Sequence, residues 1–208
     1  MIREKSWFPI PYMFILTVIF STIVIGFTRV TSEKVQANNR LAFEKAVLTV
    51  LPGLYEQNLS SLELHRRFTK SVSPPDDSTA SAYTLKKNGK ITAYALPISG
   101  QGFWAPILGV IGIEADKKTI TGIAIYQQNE TPGLGAEIAK PEFTKQFNGK
   151  TISSKGTPLN IKRPGSTLGD SDVHAVTGAT QTSTRLEKII NDGLKSWLSE
   201  MSKKGGVQ

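Results

Sequence analysis

The feature that most constrains this chain is an uncharged run near its start, at residues 8–28. A helix of this length spans roughly 30 Å, the thickness of a bilayer's hydrocarbon core. A cleaved signal peptide and a buried helix are the competing interpretations. However, no Ala-x-Ala-like site follows Phe27, and Trp7 and Tyr12 stand where interfacial aromatic residues occur. The run therefore predicts a retained single-pass membrane anchor.

The flanks of this run do not decide the orientation of the anchor. Arg3 and Lys5 precede it, and Arg29, Lys34 and Arg40 follow it, so basic residues stand on both sides. Neither side is favoured by the rule that positive charges stay in the cytoplasm.

Composition limits the function classes. A chain of 208 residues accommodates one anchor and one domain of ordinary size. The formal charge is +8, but the lysines are scattered and form no basic helix, which argues against nucleic-acid binding. The absence of cysteine excludes thiol catalysis and thiolate-held metals in this chain. His65 and His174 share no metal-ligand spacing, and no metal site or catalytic triad is predicted.

Residues beyond the anchor divide into a stalk and a domain. A partial apolar face predicts a helix at 32–51, which Pro52-Gly53 ends, and a polar, proline-containing loop at 71–78 precedes the first strand. The predicted segments are an N-terminus at 1–7, a membrane helix at 8–28, a stalk helix and linker at 29–80, a domain at 81–202, and a tail at 203–208.

The domain is predicted to be α+β, with a mainly antiparallel sheet and flanking helices. Asn88-Gly89 suits a type I′ hairpin, because both turn residues must take positive φ. Predicted strands lie at 82–85, 91–96, 107–113, 120–126 and 159–162, the first four forming one sheet, and predicted helices lie at 137–147 and 186–201.

A helix start is the strongest candidate binding site. Thr177-Gly178-Ala179-Thr180 precedes apolar residues that recur at helical spacing. Free amides and the helix dipole favour an anion there, such as a phosphate, while Gly178 permits close approach and Thr180 adds a hydroxyl. The alternative is an ordinary turn and N-cap.

A second turn-prone motif, Glu130-Thr131-Pro132-Gly133-Leu134-Gly135, follows a predicted strand and by itself indicates only a loop. In combination with Thr177–Thr180 and the anchor it resembles a specific family. Its members are the G subunit of the Rnf ion-translocating electron transport complex and the C subunit of the Na⁺-translocating NADH:quinone oxidoreductase, Nqr. The resemblance extends from the anchor to the final helix.

The resemblance implies a covalent FMN, attached through a phosphoester to Thr180 by a separate, Mg²⁺-dependent flavin transferase that uses FAD. The flavin is then expected to lie against the Glu130–Gly135 motif. Trp104, in a Gly-Phe-Trp stretch, is either a flavin neighbour or a core residue. The implied cofactor-binding residues are Thr180, Thr177, Gly178, Ala179, Thr182, Glu130, Thr131, Gly133, Leu134 and Trp104.

One position departs from the family pattern. His174 occupies the place three residues before the motif where relatives usually carry aspartate, and Asp172 lies two residues earlier. Either Asp172 substitutes through a local shift, or the transferase tolerates histidine. The chain length resembles the Rnf subunit, whereas Gly102-Phe103-Trp104 resembles the Nqr subunit; we favour Rnf.

The resemblance implies a redox relay within a membrane complex, not an enzyme acting alone. It places the N-terminus in the cytoplasm and the flavin domain on the outer side of the inner membrane. The implied partners are the other membrane subunits and the transferase. A cofactor-free membrane scaffold and a domain that senses a small ligand are the alternatives.

Overall fold

The computed structural model describes residues 7–205. Residues 1–6 and 206–208, which contain most of the predicted cytoplasmic N-terminus and part of the predicted tail, lie outside the described residues. The chain divides into two compact units, one ending at Arg40 and the other beginning at Leu41.

Helix α1 runs from Pro9 to Val50 and is about 63 Å long at 1.5 Å per residue. Its residues up to Arg40 make up most of the first unit, and its last ten residues belong to the second. Its threonine hydroxyls donate to carbonyls four residues earlier, as at Thr17 and Thr22, so these polar groups are satisfied within the helix. Large apolar side chains are exposed along it, among them Ile10, Phe14, Phe20, Ile23 and Phe27. Within the described part of the chain, α1 alone is long and apolar enough to cross a membrane.

The second unit is built on a five-stranded antiparallel sheet, which confirms the α+β prediction. Asn88 and Gly89 have φ of 52° and 76°, as the predicted hairpin requires. The unpredicted fifth strand is very short and pairs Val72 with Leu85. In spatial order the strands are β1 (Val72–Ser73), β2 (Tyr83–Lys87), β3 (Lys90–Gln101), β4 (Pro106–Glu114) and β5 (Ile120–Gln127).

Helix α2, Ser61–Ser71, lies in the region predicted as a linker. It begins with a capping box in which the Ser60 hydroxyl accepts from the Glu63 amide and the Glu63 carboxylate accepts from the Ser60 amide. Because α2 packs beside β1, the compact unit begins well before residue 81. The boundary of the flavin-binding segment at 81–202 stays a prediction.

The sheet is buried on both faces, because successive residues of a strand point to opposite sides. Ala93 and Ala95 of β3 pack with the last turns of α1, where Leu48 is fully buried. Tyr94 and Leu96 pack on the other face with helix α4, Thr180–Gly205. Apolar residues of α4 buried against this face are Leu186, Ile190, Leu194 and Trp197. Helix α4 is thereby fixed to the sheet.

The segment between β5 and α4 is irregular. The prediction of one helix at 137–147 is wrong: the segment forms a short helix, α3 (Pro141–Thr144), with a 3-10 turn on each side. Pro141 has no amide hydrogen to donate, so a helix can begin at this residue but cannot continue through it. Strand β6, Asn160–Lys162, pairs in parallel with the unpredicted β7, Asp172–His174. Helix α4 begins six residues before the predicted position, since residues 180–185 are polar and show no apolar period.

Candidate functional site

Three segments of the chain meet at the start of α4 and form a cavity of about 230 Å³. One is the turn between β3 and β4, one follows β5, and the third leads into α4. The lining residues are Phe103, Glu130, Thr131, Leu134, Gly135, Gly178, Ala179, Thr180, Gln181 and Thr182. The structure therefore brings most of the sequence-predicted site residues to one place.

The helix start supplies free hydrogen-bond donors. Within the described chain, the amides of Thr180, Gln181 and Thr182 have no backbone acceptor, as expected for a first helical turn. Gly178 has a φ of +79°, and a Cβ there would lie 3.0 Å from Leu134 Cδ2. The amides and the positive end of the helix dipole make this end of the cavity suitable for an anion.

Glu130 and Thr182 are buried in the wall of the cavity. The Thr182 hydroxyl donates to Glu130 Oε2 at 2.6 Å, and the amides of Phe103 and Trp104 donate to Oε1 at 2.8 and 3.1 Å. The Glu130 carboxylate thus accepts the hydrogen bonds of all three donors. Both residues were predicted to bind the cofactor, and a direct contact with it stays a prediction.

Exposed apolar side chains form a rim beside the cavity. Phe103, Trp104 and Leu134 are 45%, 65% and 43% exposed. The Trp104 indole N–H donates to Thr131 Oγ1 at 3.2 Å, so Trp104 is held at the surface, and the tryptophan of the core is Trp197. A flat aromatic ligand would find apolar surface here.

Gly133 and Thr177 lie apart from this cavity. Both line a neighbouring cavity of about 510 Å³ together with Glu137, Lys140, Glu142, Phe143, Gln146, Ala175 and Val176. Thr180 lines the smaller cavity at the helix start, and Thr177 does not. The two threonines of the motif are thus distinguished by the cavity that each one faces.

Asp172 has a structural role in the β6–β7 pair. Its carboxylate accepts from Lys162 Nζ at 2.7 Å, from Asn160 Nδ2 at 2.9 Å and from the Gly169 amide at 2.7 Å. The Lys162 ammonium, followed by the other two donors, lowers the pKa of Asp172 to about 2. Strand register pairs Asp172 with Asn160 and His174 with Lys162. Substitution of Asp172 for the aspartate that relatives usually carry stays a prediction.

Replacing Asp172 with alanine is expected to destabilise the domain by about 2 kcal/mol, because three donors lose a charged acceptor. The folded-state pKa is lower than the ordinary 3.8, so this stabilisation is present above about pH 4 and is lost as the pH falls toward 2. Denaturant unfolding at several pH values measures both effects. Asp170→Ala, at an exposed neighbour, is the control and should shift stability by less than about 0.5 kcal/mol. Equal stabilities for the two variants at pH 7 would contradict this role.

Sequence reasoning missed four residues of the site. Phe103, Gly135 and Gln181 line the cavity, and the Arg185 guanidinium lies 5.9 Å from the centre of the Phe103 ring. Arg185 Nε is buried and lacks a hydrogen-bond partner in the described part of the chain. Two of them had a sequence signal, Phe103 as the middle residue of Gly-Phe-Trp and Gly135 as the last residue of the motif at 130–135. The position of Arg185 depends on helix α4 starting at Thr180.

Comparison with known proteins finds a matching family model and similar sequences. Residues 102–195 match the family model of the FMN-binding domain. The C subunit of the Na⁺-translocating NADH-quinone reductase from Pasteurella multocida is 33% identical over 124 residues, which cover 58% of this chain and 46% of that protein. Its counterpart from Haemophilus ducreyi is 29% identical over 183 residues, covering 80% of this chain and 69% of that protein. The chain spans about half the length of several relatives that it matches.

A solved structure shows the same fold. The C subunit of the Na⁺-translocating NADH-quinone reductase from Parabacteroides distasonis aligns with a TM-score of 0.67, covering 84% of this chain and 96% of that one at 23% identity. At this identity the likeness concerns the fold alone. The long apolar helix and the membrane-complex relatives together indicate a membrane-anchored protein.

The cavity suits part of an FMN molecule. Its 230 Å³ lies below the roughly 300–1,000 Å³ of pockets that enclose drug-sized ligands, so it has room for one end of the cofactor only. The free amides at the helix start match a phosphate, and the exposed aromatic rim matches a flat ring system. The unpartnered Nε of Arg185 adds a cation beside the rim. The residues present fit the group.

Proposed function

We propose that this chain, whose residues 102–195 match the model of the FMN-binding domain family, is a membrane-anchored subunit that carries FMN covalently on Thr180 and relays electrons within a membrane complex. The observation that carries the proposal is the meeting of the two motifs around one cavity, with Thr180 exposed at the helix start and lining that cavity. The names of the relatives support the electron-transfer role.

Thr180 is the proposed point of attachment. Its hydroxyl loses a proton and forms a phosphoester with the flavin-bearing phosphate of FAD, and the adenosine phosphate leaves. The amides of Thr180, Gln181 and Thr182, with the dipole of α4, lie where they favour the negative charge of that phosphate. The reaction is catalysed by a separate protein, the magnesium-dependent flavin transferase.

The bound flavin supplies redox chemistry by accepting electrons singly or in pairs. The chain's part is to hold the cofactor in place: Thr180 fixes one end, and Phe103, Trp104 and Leu134 offer apolar surface for the ring system. Thr131 holds Trp104 through its indole N–H. A tethered cofactor stays within reach of neighbouring redox groups between turnovers.

The relatives favour an Nqr-type complex over the Rnf type expected from chain length. An Rnf-type complex stays a prediction. The electron donor distinguishes the two types of complex. Membranes that contain the assembled complex should be reduced by NADH if it is of the Nqr type and by reduced ferredoxin if it is of the Rnf type.

Denaturing electrophoresis tests the proposed function. Full-length protein made with the transferase should give a flavin-fluorescent band, and protein made without the transferase should not. A cofactor-free scaffold would give no fluorescence in either case, and a reversible ligand sensor would release its ligand on denaturation. Either outcome would contradict a covalent flavin.

The proposed orientation places the flavin domain outside the cytoplasm. A phosphatase reporter fused after Gln208 is therefore expected to be active in the periplasm, because one crossing by α1 from a cytoplasmic N-terminus puts the rest of the chain on the outer side. Deleting residues 8–28 from the same fusion should abolish that activity. Activity of a cytoplasm-specific reporter at the same end would reverse the proposed topology.

A further inference from the structure

Glu130 joins the three segments that form the cavity. The residue is only 5% exposed, and its carboxylate accepts from the amides of Phe103 and Trp104 and from the hydroxyl of Thr182. A carboxylate removed from water requires such donors, because its desolvation is costly. The donors lie 26 to 52 positions away in sequence, so one side chain connects the β3–β4 turn, the loop after β5 and the start of α4.

Two glycines leave room for this carboxylate. A Cβ at Gly102 would lie 2.6 Å from Glu130 Oε1 and equally close to the Ala105 carbonyl oxygen. A Cβ at Gly135 would lie 2.5 Å from Thr182 Oγ1 and 3.0 Å from Glu130 Oε2. Any other residue at either position would displace the hydrogen-bonded groups. The close approach of the three segments therefore depends on both glycines and on Glu130.

We propose that Glu130 is a positioning residue that holds the cavity in its flavin-receiving shape. Both of its oxygens face protein donors, and the Thr182 hydroxyl proton is directed at Glu130. This inference rests on the proposed function, because it assigns how that same site is held together.

Positioning by Glu130 has two consequences. The amide bonds fix the backbone that presents the Phe103 and Trp104 rings, and the Thr182 bond fixes the first turn of α4, where Thr180 lies. Without Glu130, these segments have to be ordered when the flavin is attached, which slows attachment. The buried donors also lose their acceptor.

The test uses the full-length protein in detergent, with Glu130→Ala, Glu130→Gln and the control Glu200→Gln, which changes an exposed carboxylate of the same unit far from both cavities. Amide hydrogen exchange at Phe103 and Trp104 is measured in flavin-free protein. The initial rate of covalent flavin incorporation is measured with the transferase and FAD. The first readout reports the positioning of the backbone and is independent of any cofactor.

Glu130→Ala is expected to speed exchange at both amides and to slow incorporation, each by about tenfold or more, which corresponds to the loss of one to two ordinary hydrogen bonds. Glu130→Gln keeps an oxygen acceptor for both amides, so both quantities should stay within about threefold of the wild type. Glu200→Gln should match the wild type.

If Glu130→Ala fails to fold, Glu130→Asp takes its place, because the shortened side chain withdraws the carboxylate from its donors. Unchanged exchange and incorporation in the alanine or aspartate variant would overturn the positioning role. A wild-type protein that takes up no flavin would instead contradict the proposed function, while the exchange measurement would still decide whether Glu130 holds the segments together.

Discussion

Thr180→Ala is expected to lower flavin fluorescence of the denatured protein band by about a hundredfold or more, because the variant lacks the hydroxyl that forms the phosphoester. Thr180 is exposed at the first turn of α4 and lines the cavity with the free amides of that turn. The measurement is in-gel fluorescence relative to stained protein, after expression with the transferase.

Two variants control this prediction. Thr177→Ala removes a hydroxyl that lines the neighbouring cavity, so fluorescence should fall by no more than about twofold. Thr180→Ser keeps a hydroxyl at the attachment point and should retain covalent flavin. Fluorescence that persists in Thr180→Ala, or disappears in Thr177→Ala alone, would contradict the assignment.

The second large effect is on electron transfer through the assembled complex. Thr180 is exposed, and truncating it leaves the buried residues Leu186 and Trp197 of the same helix in place. Stability of the domain should change by less than about 0.5 kcal/mol, and the other subunits should co-purify as with the wild type. Donor-driven electron transfer and ion uptake in membrane vesicles should nevertheless fall by about tenfold or more, because the relay has lost its redox group.

Thr180→Ser complexes provide the matched control, since they differ from Thr180→Ala by one hydroxyl and should turn over normally. Near-normal turnover in a fully assembled, flavin-free Thr180→Ala complex would mean that the flavin is dispensable. The membrane scaffold would then be the better description of the chain.

Local signals account for the parts of the fold that the sequence predicted. The length of the uncharged run predicts α1, and Asn88-Gly89 predicts the hairpin, because each depends on the properties of adjacent residues. The elements that were missed have weak local signals. Strands β1 and β7 are only two and three residues long, and α2 lies in a region with mixed polar and apolar residues.

The candidate site was only partly predictable. The motifs at 130–135 and 177–180 each indicate a loop, and the family resemblance was needed to combine them. The contact between Glu130 and Thr182 joins residues 52 positions apart, and no local pattern encodes it. For the same reason, the sequence alone does not show that Thr177 and Thr180 face different cavities.

Mass spectrometry of the peptide spanning residues 163–185 tests covalent attachment at Thr180 most directly. The peptide contains both threonines of the motif, and fragmentation separates Thr177 from Thr180. In protein made with the transferase, the peptide should be heavier by the mass of FMN less one water, with the added mass on Thr180. An unmodified peptide from such protein, or added mass on another residue, would contradict a flavin held at the start of α4.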